Sequence, residues 1–319
     1  MHVLGPVSRS EARRLRVLDP TAIGRSEALD VTMLATRDGG HCTFHVRDDR
    51  SGGYLCVVHA EQGAKAKPQS CQRFPFRLVA TPLGGRITTE HRCPCRTMGV
   101  RAPIDVRAVE PSLADPLGRL SADARVEGTL LASKGKRVAF ARYVELERVM
   151  LARLAAGHDP IEVLGQAPFP ALADVTWSDV GHLLRQRPDG TSCGEALAWV
   201  GDELLRQHGT AIRPIRGRPW SPAFEHAEAR TPTPEEPAAM LADFVSDALF
   251  GLDWHGRAPF DVARAELSTR VALARALQGR FSALGTRDDR AMAEAIHAVE
   301  LAGASALWGG VMKKIRLRG

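Results

Sequence analysis

The chain has 319 residues, of which 44% are apolar and 25% are charged, with a formal net charge of +6 at pH 7 and a pI near 9.2. This length allows a buried core and two structural units, and the composition is typical of a globular protein. Apolar runs stay well short of the roughly 20 residues that cross a bilayer, and the first residues lack a signal-peptide pattern, so we expect a cytoplasmic protein without membrane contact.

The first predicted element is a helix over residues 8–18. Ser8 can cap its N-terminus, and Glu11, three residues later, completes a capping box. Residues 30–100 are different, because they are rich in Gly, Thr, Pro and Cys, and their last third predicts a hairpin that turns at 82–85. Such a stretch has too few large apolar residues to be stable alone, and a bound metal could supply the missing stability.

Beyond about residue 125 the apolar spacing becomes helical. Thr176 with Asp179 predicts one helix start, and Thr233 with Pro234 predicts another. Cys193 falls in the first turn of a helix, where a small buried residue is favoured over a reactive thiol. The predicted helices cover 137–156, 176–187, 192–207, 233–250, 260–284 and 287–308, with a Pro- and Arg-rich connector at about 210–232.

Cysteines are concentrated in the first hundred residues. Reduced cytoplasmic thiols that cluster bind metal or do chemistry more often than they pair. Zinc and iron–sulfur clusters both take four ligands and both favour thiolates, so five cysteines satisfy either count. The alternative, small buried apolar residues, explains one or two cysteines but not five. The predicted metal ligands are Cys42, Cys56, Cys71, Cys93 and Cys95.

Cys93 and Cys95 are separated by one proline. Two sulfurs at this spacing reach one metal ion with difficulty and bridge a multi-iron cluster more easily, or one of them is a spare. Among the histidines, His91 is the best candidate ligand, because it shares a face with Cys93 in an extended segment. His59 is expected to be a partly exposed residue at a helix start, and His41 to point away from its neighbour Cys42.

Two prolines and two phenylalanines frame one cysteine in residues 67–76. The prolines limit the backbone around Cys71. Phe74 and Phe76 can exclude water from a metal–sulfur centre, while Arg73 either donates to a thiolate or faces solvent.

These segments resemble a known family in their order and in their motifs. They are similar to the YkgJ-like cysteine-cluster family of zinc- or iron-chelating proteins, which includes the FliB-like flagellin lysine N-methylases. The resemblance covers roughly residues 7–97 and implies that the first three cysteines are ligands. The matching segments are Cys42-Thr43-Phe44, Tyr54-Leu55-Cys56-Val57-Val58-His59 and Lys67-Pro68-x-x-Cys71-Gln72-Arg73-Phe74-Pro75.

The resemblance also implies an activity and shows one departure. Its methylase members would use S-adenosylmethionine and a protein substrate, although no Gly-rich cofactor loop is recognisable here. The family opens with a compact CxxCxxCC group before the first helix, and this sequence begins at that helix. Either ligands lie upstream of Met1, or this member has lost them and Cys93 and Cys95 complete the site.

The sequence therefore predicts an α+β protein, in which a small irregular cysteine-rich metal module at 1–104 precedes an all-α helical domain at 105–319. Our first hypothesis is a cytoplasmic protein that binds an iron–sulfur cluster or zinc through the module. The alternatives are an S-adenosylmethionine-dependent protein lysine N-methylase and a zinc-stabilised interaction module without catalysis. The arginine-rich positive charge permits contact with nucleic acid but does not argue for it, and oligomeric state is not indicated.

Overall fold

The chain folds into a mixture of helices and small sheets in the computed structural model, which confirms the α+β prediction. The structure describes residues 5–26, 30–37, 42–47, 54–100, 103–115, 117–186, 190–212, 216–231 and 233–317.

The first hundred residues form short elements. The predicted capping box is present, since Glu11 N donates to Ser8 Oγ at 3.3 Å and Ser8 N donates to Glu11 Oε2 at 2.8 Å. The predicted hairpin is also present, with its turn at Pro82-Leu83 and antiparallel strands on either side. The elements are α1 (Arg9–Leu18), β1 (Ile23–Ser26), β2 (Val31–Leu34), β3 (His45–Arg47), β4 (Tyr54–Cys56), α2 (Val57–Gln62), α3 (Gln69–Arg73), β5 (Phe76–Thr81), β6 (Gly84–Thr89) and α4 (Pro94–Thr97).

The rest of the chain is mainly helical. Its elements are α5 (Val106–Leu113), β7 (Ala124–Arg125), β8 (Thr129–Ser133), β9 (Lys136–Ala139), α6 (Phe140–Ala155), α7 (Pro160–Leu164), β10 (Ala171–Leu172), α8 (Trp177–Arg185), α9 (Ser192–Gln207), α10 (Ser221–Glu228), α11 (Pro237–Phe250), α12 (Phe260–Ala283), α13 (Asp288–Ala304), α14 (Ala306–Met312) and β11 (Ile315–Arg316). Among the described residues, no single helix is long and apolar enough to cross a bilayer, and only α13 with α14, bent by 77°, meets that test as a pair.

The helical part differs from the sequence analysis in several details, since the region predicted to be all-α contains strands β7 to β11, and α10 lies within the predicted connector. A β8–β9 hairpin was missed, and it turns through Gly135, whose φ of +74° suits glycine. Helix α11 begins at Pro237 instead of after Thr233. The reason is a tertiary contact, because the Thr233 carbonyl lies so close to Gly99 that a Cβ there would be 2.7 Å from its oxygen.

The apolar side chains form two main cores of unequal size. The small core joins α1, β2 and α3, and its buried members run from Val7 to Cys71 along the chain. The large core runs from Val79 to Met312 and includes Trp199, Trp220 and Trp308, which are fully buried. The β5–β6 hairpin and α4 therefore contribute Val79 and Met98 to the large core, although they follow directly on the segment that forms the small one.

A buried ion pair fixes the β5–β6 hairpin to helix α6. Arg86 Nη1 lies 2.6 Å from Glu147 Oε1, and Arg86 Nη2 lies 2.9 Å from Glu147 Oε2. The guanidinium also lies over the rings of Phe140 and Phe250 at 4.9 and 4.7 Å. This bidentate geometry and the aromatic faces compensate for removing both charges from water.

Helices α8 and α9 approach each other at two glycines. A Cβ on Gly201 would lie 2.7 Å from the Gly181 carbonyl oxygen and 2.8 Å from the Arg185 amide nitrogen. Any larger residue would force the two backbones apart, so this crossing depends on glycine at both positions.

Candidate metal centre

Three of the five predicted ligands meet in the small core, and we call them the cysteine triad (Cys42, Cys56 and Cys71). Cys42 forms a β-bridge with Thr36, and Cys56 ends strand β4, where it begins helix α2. Cys71 lies in the short helix α3, where its amide donates to the Pro68 carbonyl at 2.9 Å. Segments that are distant in the chain thus bring three thiols to one apolar cluster.

The triad thiols influence each other. The pKa of Cys71 is raised to about 12, mainly by burial and also by the neighbouring Cys42 and Cys56. Burial also raises the pKa of Cys42, with an added contribution from Cys56. Thiolates side by side repel each other and lose hydration, so the metal-free triad favours neutral thiols. A bound cation would reverse this preference, because it pairs directly with the negative sulfurs.

The three cysteine sulfurs are suitable ligands for a thiophilic metal, but they are too few to complete a four-ligand site. Three sulfur donors match zinc or iron–sulfur ligation, and a structural tetrahedral site needs a fourth. In the part of the chain that the structure describes, no group of three or more Cys, His, Asp or Glu residues is arranged to hold a metal ion. The triad is therefore close without being preformed as a coordination site.

Hydrogen bonds hold the helix that carries Cys71 against α1. Glu11 Oε1 accepts from the Gln69 amide at 2.7 Å, and Arg14 Nη2 donates to the Ala66 carbonyl at 2.7 Å. Burial alone would raise the pKa of Glu11, but the hydrogen bonds from Ser8 and Gln69 lower it overall. The same carboxylate thus caps α1 and positions α3.

The other two predicted ligands lie together at a different place, and we call them the cysteine pair (Cys93 and Cys95). Cys93 precedes α4, which packs against α10 and α13. The pKa of Cys93 is raised well above its usual range, first by a hydrogen bond with the Cys95 thiol and then by burial. Arg96 fixes this turn to α11 through Asp243 at 2.6 Å and Asp247 at 2.9 Å.

The cysteine pair lines a large cleft of about 1220 Å³ between α4, α5, α7 and α11. Its acidic side chains outnumber its basic ones, so we call it the acidic cleft. Its two arginines both pair with carboxylates, Arg96 with Asp243 and Arg275 with Asp159. The acidic members are Asp105, Asp159, Glu235, Glu236, Asp243 and Asp247.

The side chains that flank Cys71 do not all serve the triad. Arg73 donates to the Ser121 carbonyl at 2.6 Å and to Asp123 Oδ2 at 2.8 Å, so it fixes α3 to the helical part of the chain. Phe76 packs with Leu78 in a separate cluster, so it does not shield the triad as expected. Its place in strand β5, after the chain has left the small core, explains this difference.

The remaining candidates are placed as follows. His91 is buried, and its Nε2 lies 3.1 Å from Asp247 Oδ2, away from the triad. His59 is exposed on α2, as expected, and His41 lies outside the described residues. Cys193 is buried in the large core at the start of α9, which confirms the structural interpretation of this residue.

A second cavity was missed by the sequence analysis, and we call it the arginine cavity. It lies between the β5–β6 hairpin, α11, α12 and α13. The arginines that line it are spread over about two hundred positions, so no local spacing indicates it. They are Arg77, Arg92, Arg257, Arg264 and Arg270.

Comparisons of the chain with protein-family models, with curated proteins and with solved structures found no match.

Proposed function

We propose that this protein binds an iron–sulfur cluster or a zinc ion through the cysteine triad. The observation that carries the proposal is the meeting of Cys42, Cys56 and Cys71 in one small core. The resemblance to the cysteine-cluster family points to the same three residues. We place the iron–sulfur cluster slightly ahead of zinc, and a cytoplasmic location remains our expectation.

The physical case rests on what the small core lacks. It has few large apolar side chains, with Phe44 its only buried aromatic residue among those described. A metal that joins three separate segments would restrict the unfolded chain and add binding energy to the folded one. The fourth donor would come from outside the triad.

Metal content tests this proposal directly. We expect the anaerobically purified full chain to contain iron and sulfide and to be brown, or to contain zinc and be colourless. In Cys71→Ser the metal content should fall strongly, whereas the control Cys193→Ser replaces an equally buried thiol in the large core and should keep it. Wild type without iron or zinc, or Cys71→Ser with full metal content, would refute the assignment.

A second candidate is an S-adenosylmethionine-dependent protein lysine N-methylase. It is supported by the family resemblance and by the charge of the acidic cleft, which is complementary to a lysine ammonium group in a protein that is positive overall. S-adenosylmethionine would supply the methyl group, and Glu236 and Asp243 would attract the substrate side chain.

Methyl transfer to a lysine-rich protein would test this candidate. Glu236→Gln removes one exposed charge of the cleft without breaking a described hydrogen bond, so KM for the protein substrate should rise. Glu145→Gln, on the exposed face of α6, serves as the control. If wild type with its metal bound consumes no S-adenosylmethionine, the zinc-stabilised interaction module without catalysis becomes the better proposal.

A further inference from the structure

The arginine cavity has a volume of about 180 Å³ and is polar. The hairpin contributes Arg77 and the turn after it contributes Arg92, while the α11–α12 connection contributes Arg257. Helix α12 contributes Arg264 and Arg270, and helix α13 closes the far side with Glu300. Gly303 leaves space for the Arg270 side chain, since a Cβ at this position would lie 3.1 Å from Arg270 Cδ and Nη1.

Most of the carboxylates around the cavity are already paired. Asp253 pairs with Arg77, Glu90 pairs with Arg92, and Glu266 Oε1 lies 2.7 Å from Arg270 Nε. Asp247, on the same wall, is held by Arg96 and His91.

Two guanidinium groups have no such partner. Arg264 donates to the Leu164 carbonyl at 3.0 Å and lies over the Phe260 ring, and it forms no ion pair with a described carboxylate. Arg257 likewise forms no ion pair with any carboxylate in the described ranges. Partial burial lowers the pKa of Arg257, nearby Arg270 and Arg92 lower it further, and Glu266 raises it. Two guanidinium groups in the cavity are therefore not paired with a described carboxylate, and one carboxyl in the lining, Glu300, forms no described ion pair either.

Buried polar atoms of residues that line the cavity also lack partners. Among the described residues, His91 Nδ1, Arg264 Nε and Glu300 Oε2 have no hydrogen-bond partner in the protein. Such atoms are costly to bury unless water or a ligand satisfies them. Burial raises the pKa of Glu300, which shifts this carboxyl towards the neutral form that can donate a hydrogen bond.

We propose that the arginine cavity binds a small oxyanion, a phosphate or a short carboxylate, held by Arg257 and Arg264 with Glu300 on the opposite wall. The planar fork of a guanidinium matches both kinds of oxyanion. A cavity of about 150 Å³ is large enough for benzene, so this one suits a ligand of about five or six heavy atoms and excludes a nucleotide.

Calorimetric titration of the full chain, with sodium phosphate in one arm and sodium acetate in the other, tests the proposal. Sodium chloride at matched ionic strength is the control for screening. We expect saturable binding of at least one oxyanion, and the two arms identify which kind the cavity prefers. If phosphate and acetate both bind no better than chloride, the proposal is wrong and the cavity holds water.

Variants locate the binding. Arg257→Gln removes an exposed guanidinium without a described ion pair, so it should fold and should weaken binding about tenfold. Arg148→Gln, on the exposed face of α6, is the matched control and should bind like wild type. Glu300→Gln keeps a donor and should bind at least as tightly. Undiminished binding by Arg257→Gln would also overturn the proposal, and neither result depends on the metal.

Discussion

The two cores bury polar groups in different ways. The small core holds the cysteine triad, in which burial and the neighbouring thiols raise the pKa of Cys71 while Lys67 lowers it, and it has little apolar surface to offset the burial of these thiols. The large core holds carboxylates as deeply buried as Glu203 and Glu294, and each is met by at least one arginine.

This difference indicates that an ionisable side chain can be buried where the chain itself supplies the compensating charge. The arginines of the large core form ion pairs with its buried carboxylates. In the small core burial raises the pKa of Cys71 and outweighs the lowering by Lys67, so we expect the triad to take further positive charge from a metal.

Removing the metal should produce the largest difference in stability between the small core and the large core. Structural zinc contributes about 10–16 kcal/mol in small zinc domains, so a chelator should unfold the small core while the large core persists. Hydrogen exchange measured by mass spectrometry should show lost protection in α1 and α3 and unchanged protection in α12 and α13. Equal protection with and without metal would mean that the small core is stable by packing alone.

Within the large core, the most costly single change should be the loss of a buried charge. Glu147→Gln leaves Arg86 without its carboxylate, and breaking a buried pair in this way costs about 3–5 kcal/mol. The control Glu145→Gln lies on the same helix with its partner Arg142 at the surface, where a pair contributes about 0–1 kcal/mol. Urea unfolding followed by tryptophan fluorescence measures both, and similar midpoints would contradict the assigned role of the Arg86 pair.

Acid should act on the large core through His297. Burial lowers its pKa to about 3, and it packs between Trp220 and Phe224. The neutral form then contributes stability that is complete above the unfolded pKa of about 6.5 and is lost as the pH falls towards 3. Between pH 7 and pH 5, wild type should lose about 2 kcal/mol more than His297→Leu, in which this titration is absent. Parallel pH profiles for the two proteins would refute this role.

The smallest expected effect comes from removing the same motif, a helix-capping box, in each of the two regions. Ser8→Ala and Thr176→Ala each remove a capping box, at a cost of about 1 kcal/mol. With metal bound, both should lower the unfolding midpoint slightly. In metal-depleted protein α1 should already exchange freely, so Ser8→Ala should have no further effect there, whereas Thr176→Ala should have the same effect on α8 as before. Identical behaviour under both conditions would argue that the two regions unfold as one unit.

The sequence predicted the helices well where local chemistry decides. The boxes at Ser8 and Thr176 set the starts of α1 and α8, because a cap satisfies backbone donors within one turn. The start of α11 was wrong, since Pro234 and Pro237 both suit a first turn and a distant contact at Gly99 decides between them. Local rules cannot rank two equally good local starts.

The candidate site was predictable as a set of cysteines but not as an arrangement. The spacing of Cys42, Cys56 and Cys71 does not tell which of them meet, and it does not separate them from Cys93 and Cys95. That division depends on where the chain passes from the small core to the large one, between Cys71 and Phe76. The arginine cavity was harder still, because its charged residues come from the hairpin, a connection and two helices.

The glycine crossing of α8 and α9 has a consequence for ligand selectivity. Helix α9 packs on α13, which carries Glu300 and Gly303 into the arginine cavity, and α8 packs on α9, so two helices lie behind that wall. Because α8 and α9 pack closely at Gly181 and Gly201, we expect this wall to resist displacement by a larger ligand. The cavity would then select anions by their size as well as by their charge.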